Sequence, residues 1–149
     1  MSLLTRLLRP SNIAYAHCDG PCGVYDPASA RIAAEAVLSM EKKIAALGDG
    51  QDAASVNTRT RFIAIKEQQA EVAKKELDIL WHDFFKPEHL AKYPDLHDTF
   101  WKATKLASKC KQELNVDACN DLLKAIEGVH TIFWATKGRE VPFYLANPA

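Results

Sequence analysis

A chain of 149 residues, 48% hydrophobic and free of repeats or low-complexity tracts, has the length and apolar content of one compact domain. Lys plus Arg and Asp plus Glu number 19 each, and neither sign is gathered into a block, so no nucleic acid or membrane partner is expected. Four cysteines (Cys18, Cys22, Cys110 and Cys119) are few for a disulfide-stapled secreted scaffold, which leaves metal or redox roles open and favours a reducing, cytoplasmic setting.

Residues 1–16 end in Ala14-Tyr15-Ala16, which resembles the small-residue cleavage site of a secretory signal. The apolar stretch such a signal needs is absent, because Thr5-Arg6 separates Leu3-Leu4 from Leu7-Leu8 and Arg9-Pro10 follows. No run approaches the length of a membrane span. After Tyr25, Asp26-Pro27 is a helix-start signal, and Ala30, Ala33, Val37, Met40, Ile44 and Leu47 then line one helical face before Gly48 stops it. Residues 48–57 read as a loop. A second helix is predicted over 58–85, with Ile63, Ala70, Ala73, Leu77, Leu80 and Phe84 on its stripe, ending at Lys86-Pro87.

From Pro87 to Pro94 the chain is irregular or makes one short turn. A third helix follows from Pro94-Asp95, with Leu96, Phe100, Ala103, Ala107 and Cys110 facing inward. The fourth begins at Asp117 and aligns Cys119, Leu122, Ile126, Val129 and Phe133, stopping by Gly138. Residues 141–149 hold two prolines and read as a tail. Four amphipathic helices on short connections predict an all-α fold, an antiparallel up-down four-helix bundle over about residues 27–137.

The distinctive chemistry lies ahead of the helices, in His17-Cys18-Asp19-Gly20-Pro21-Cys22-Gly23-Val24-Tyr25, where Gly and Pro specify a tight hook and two thiols can converge. If His17 were the first residue, its free amine, the Cys18 amide nitrogen and the Cys18 sulfur would close two adjacent five-membered chelate rings. Cys22 can return through Gly20-Pro21 to the fourth corner of that plane, and the His17 imidazole reaches it from above. Planar nitrogen coordination suits Cu(II) or Ni(II); two thiolates would reduce Cu(II), so nickel is the better fit, whereas zinc would ask for a tetrahedron. Such thiolate and amide donors favour an oxidised metal and so a redox role.

Residues 17–25, continuing through Asp26-Pro27-Ala28-Ser29-Ala30-Arg31, resemble the nickel hook of nickel superoxide dismutases, and the cyanobacterial-type members most closely. Ile65-Lys66-Glu67-Gln68, Phe85-Lys86-Pro87, Lys92-Tyr93-Pro94 and Ile132-Phe133-Trp134 extend the likeness over nearly the whole of 17–149. The resemblance implies disproportionation of superoxide to oxygen and hydrogen peroxide, a homohexamer with an N-terminal metal-binding hook on each subunit, and a leader, residues 1–16, removed by a dedicated peptidase. It implies His17, Cys18 and Cys22 as nickel ligands, Tyr25 beside the open axial face as the catalytic side chain, and Asp19 with Pro21 fixing the hook. The chain departs from the family pattern at Gly20, where many members have Leu. It departs again at Ala33 and Gln69, which replace an acid and an arginine that orient the ligand histidine, and at Phe84, which replaces a tyrosine. Glu35 or Glu67 could substitute for the missing acid.

Plainer readings stand beside these. Tyr25 could simply pack with its hydroxyl at the surface, Asp19 could only form a turn, and Asp26 reads as a helix cap. Cys110 and Cys119 read as buried inert thiols, with a reversible disulfide as the alternative. His82, His89, His97 and His130 lack ligand spacing and read as surface or capping residues. Two other functions would use the same cysteines: a non-catalytic metal-binding chaperone, and a thiol redox enzyme in which Cys18 and Cys22 attack and resolve. The second lacks a helix starting at Cys18 to lower its pKa.

Overall fold

In the computed structural model, residues 23–146 are described. The first helix, α1, runs Ala28–Ala46; α2 runs Ala53–Ile79 and continues into a π-helical turn, Leu80–Phe84. Next come a short α3, Pro87–Lys92, then α4, Leu96–Gln112, and α5, Val116–Thr136. Each long helix packs on two others: α1 on α2 and α5, and α4 on α2 and α5. That closed ring of four neighbours is the predicted four-helix bundle.

Much of the seam is made by small residues. Ala30, Ala33, Ala34, Ala70, Ala73, Ala103 and Ala107 are all buried and let the helices approach closely. Leu77, Leu96, Leu122, Ile126, Val129 and Phe133 fill the space between, each burial stabilising the fold by about 1.5–3 kcal/mol. Gly48 ends α1 with φ 58°, a left-handed conformation that a side chain would strain.

Three elements differ from the sequence expectation. The second helix begins five residues early, at Ala53, because Asp52 caps it by accepting from the Ala54 and Ser55 amides, both at 3.0 Å. Its far end is not regular α-helix: the Phe85 amide donates to the Leu80 carbonyl at 3.1 Å, five residues back. The wider turn gives the core position after Leu80 to Phe85 rather than Phe84. The segment from Pro87 forms α3, closed at its start by the Lys86 amide donating to His89 Nδ1 at 3.1 Å.

The core also holds charge that periodicity does not reveal. Glu41, rather than Met40, takes the inward position on α1, and Lys66 the facing one on α2; both are 2% exposed. Their charged groups lie 3.4 Å apart, and Lys66 Nζ also donates to the Glu113 carbonyl at 2.6 Å. The tail does not trail away. His130 Nε2 donates to the Val141 carbonyl at 2.8 Å, Phe143 packs on the His130 ring, and the Ala146 amide donates to Glu35 at 2.7 Å. His130 is therefore a buried tail anchor, against its surface reading. His89 caps, as expected.

Candidate metal centre

His17, Cys18, Asp19, Gly20, Pro21 and Cys22 lie outside the described residues, so the site is visible here as the platform on which the hook is mounted. Gly23, with φ 64°, sits in the left-handed region at the start of the described chain, where a substituted side chain would be strained. Three residues on, the Asp26 carboxylate accepts from the Ala28 amide at 2.8 Å and begins α1, the capping role expected of it. Pro27 is buried beneath that turn and its carbonyl accepts from the Arg31 amide at 3.1 Å. The direction in which the chain leaves the bundle toward the hook is thus set by Gly23, Asp26 and Pro27 together.

Tyr25 is half-buried, its ring 5.7 Å from that of Phe84. The π-helical turn is what puts Phe84 there. Displaced from the core by the extra residue in the turn, Phe84 stacks on His89 at 5.6 Å and packs on Phe133 at 4.4 Å, making an aromatic floor from α2, α3 and α5. Beneath that floor Lys137 spreads its ammonium over Phe84, Phe133 and Trp134, at 5.4, 4.7 and 5.7 Å from the ring centres. A positive charge and a phenol therefore flank one aromatic ring, at the end of the bundle where the hook joins. Sequence periodicity missed Lys137; the only signal was a lysine just past the end of a helix whose closing turns are aromatic.

Beside this end Arg31 and Glu35 form a mostly buried ion pair, with the Tyr144 ring lying over the guanidinium at 4.3 Å. Glu35 is thus engaged by Arg31 and by the tail. Glu67 stands exposed on α2, Ala33 is in the core and Gln69 is half-buried. Val24, Ile32 and Tyr144 are exposed apolar or aromatic side chains on the same end. Among the described residues no three His, Cys, Asp or Glu side chains converge as a metal cage, and Cys110 and Cys119 are free thiols.

Residues 12–137 match the family described as nickel-containing superoxide dismutase. The superoxide dismutase [Ni] of Streptomyces seoulensis is 44% identical over 135 residues, covering 91% of this chain and 98% of the relative. That of Streptomyces coelicolor is 42% identical over the same shares. Among solved structures, a Ni-containing superoxide dismutase with nickel ligation of the oxidised state superposes with a TM-score of 0.75 at 44% identity, covering 83% of this chain and all of that one. An apo nickel superoxide dismutase gives 0.71 at 40% identity, over 78% of this chain.

Proposed function

Because the chain belongs to the nickel-containing superoxide dismutases, we propose that its nickel is held by His17, Cys18 and Cys22 after residues 1–16 are removed. The protein is an oxidoreductase that turns two superoxide anions and two protons into oxygen and hydrogen peroxide with a nickel cofactor. Family membership favours this catalytic role over a metal-carrying chaperone. The donor set fits the metal: two thiols, an imidazole and, once His17 is the first residue, a primary amine, the mixed nitrogen and sulfur set that borderline nickel accepts in a plane. Held by His17, Cys18 and Cys22, nickel would supply the one-electron redox couple that dismutation of superoxide needs.

The remaining work falls to the chain. Asp19 and Pro21 hold the hook's course, and Gly23, Asp26 and Pro27 fix its exit from α1. Tyr25, steadied against Phe84, directs its hydroxyl at the small anion or a water on the open face of the site without binding metal. Lys137 supplies positive potential that draws the anionic substrate to this end of the bundle. What supports the reading is the placement of Tyr25 on the aromatic floor immediately after the hook.

The subunits assemble as a homohexamer, in which neighbours cover the exposed Val24, Ile32 and Tyr144 beside the hook. A dedicated peptidase removes the leader, and the enzyme works in the cytoplasm, where Cys18 and Cys22 stay reduced. Among the described residues no helix is long and apolar enough to cross a membrane.

Electron paramagnetic resonance of a nickel-loaded chain beginning at His17 tests the ligand set. The expected result is a rhombic Ni(III) signal with nitrogen splitting, lost together with superoxide removal in Cys18→Ser and in Cys22→Ser while helical circular dichroism is retained. Near-normal activity in either variant sinks the assignment.

A further inference from the structure

At the end of the bundle opposite Tyr25, α4 turns into α5 through Glu113, Leu114 and Asn115. Cys110, in the last turn of α4, and Cys119, in the first turn of α5, are both 0% exposed and belong to the same core cluster. We propose that Cys110 and Cys119 form a peroxide-responsive dithiol whose oxidation to a disulfide staples the α4–α5 hairpin.

Cys110 and Cys119 are buried on directly packed consecutive helices, close enough for each thiol to perturb the other. The Cys119 thiol holds Cys110 below the ordinary thiol range, while the same pairing, with burial, pushes Cys119 up. Burial and the Glu41 carboxylate oppose the Cys110 thiolate, and the buried Lys66 ammonium favours it. Cys110 lies in the last turn of α4 beside the exposed connection, whereas the turn holding Cys119 is capped by Asn115, which accepts from the Ala118 amide at 2.9 Å, so Cys110 is the attacking sulfur and Cys119 the resolving one. Access requires a local opening of the hairpin, whose Leu114 is 64% exposed, at the last turn of α4.

The chemistry balances. The Cys110 thiolate attacks one oxygen of hydrogen peroxide, an S–O bond forms, the O–O bond breaks, and hydroxide leaves as water after taking a proton. The Cys119 sulfur then attacks the Cys110 sulfenic acid; the S–S bond forms, the S–O bond breaks, and the Cys119 proton leaves with the oxygen as a second water. Two thiols lose two electrons and one peroxide gains them. The oxidant is the product of the dismutation, so its source rests on that reading, whereas the reactivity of the thiols does not.

Peptide mapping of the nickel-loaded protein after added hydrogen peroxide separates the two questions. Trypsin cuts after Lys111, so the expected product is the Cys110-Lys111 dipeptide disulfide-linked to the peptide 112–124, released by a thiol reductant. The oxidised protein should melt higher by roughly 5 °C or more. Cys119→Ser should leave Cys110 to go on to sulfinic and sulfonic acids, and Cys110→Ser should leave Cys119 unmodified at the same dose. Cys110 and Cys119 both still free after peroxide, linkage only to Cys18 or Cys22, an unchanged or lowered melting point, or equal oxidation in the two variants would each overturn the proposal. Peroxide made by turnover with superoxide should give the same linked peptides; linkage with added peroxide alone would keep the dithiol and remove only its source.

Discussion

Tyr25 packs its ring against Phe84, so ring and hydroxyl can be separated by substitution. Tyr25→Phe keeps the contact with Phe84 and removes only the donor. It should retain nickel and most turnover but change inhibition by azide, measured in a superoxide decay assay. Unaltered azide inhibition would mean that the hydroxyl merely faces solvent. The family was legible in the sequence because His17, Cys18 and Cys22 fall close together and are chemically rare in company. Lys137 was not, and the resemblance marked Phe84 without its setting, since their partnership depends on how α2, α3 and α5 meet. Glu41 and Lys66 escaped for a similar reason: a pattern rule places apolar residues inside, and these charges are tolerated there through each other and, for Lys66, through the Glu113 carbonyl.

At the level of elements, alternating spacings of three and four recovered all four long helices, because burying one stripe is what stabilises each of them. The ends failed where backbone hydrogen bonding, not burial, decides. The π-helical turn is invisible to a period of 3.6, although it alone moves Phe84 out of the core stripe and under Tyr25. The start of α2 depends on one carboxylate. Asp52 is held below its ordinary value of 3.8, first by the Ser55 hydroxyl and then by the Ser55 amide. A depressed carboxylate contributes stability that is complete above its ordinary range and is lost as pH falls through the depressed value. Asp52→Asn keeps a cap but no titrating group. Its melting temperature should therefore fall less steeply than that of the parent as pH drops below about 4, the carboxylate reference range. Parallel acid profiles by circular dichroism would show that the cap carries no such linkage.

The whole molecule poses two questions that a single subunit does not answer by periodicity, assembly and maturation. The bundle buries its own core without help, so the proposed hexamer would draw instead on the surface near the hook, where Val24 is 79% exposed and Ile32 56%. Sedimentation of the processed protein should give a hexamer, and Ile32→Glu should shift it toward smaller species without loss of helicity. A monodisperse monomer of the parent would remove the assembly from the account. Maturation is the sharper test, because it turns on one bond. With residues 1–16 attached, the Ala16-His17 linkage is an amide whose nitrogen has no lone pair to donate, so the proposed donor set would be one ligand short. Cleavage frees an α-amine of pKa about 7.7–8.0, which a metal can strip of its proton near neutral pH as the Cys18 and Cys22 thiols lose theirs. The described core is built from residues 23–146 alone, so precursor and processed chain should be equally helical while only the latter removes superoxide. Both would be reconstituted with nickel under reducing conditions, with mass spectrometry confirming each N-terminus. Chains beginning at Ala16 or Cys18 should fail as well, one displacing the amine from the chelate and the other losing the imidazole. Equal activity with residues 1–16 still attached would refute the amine as a ligand.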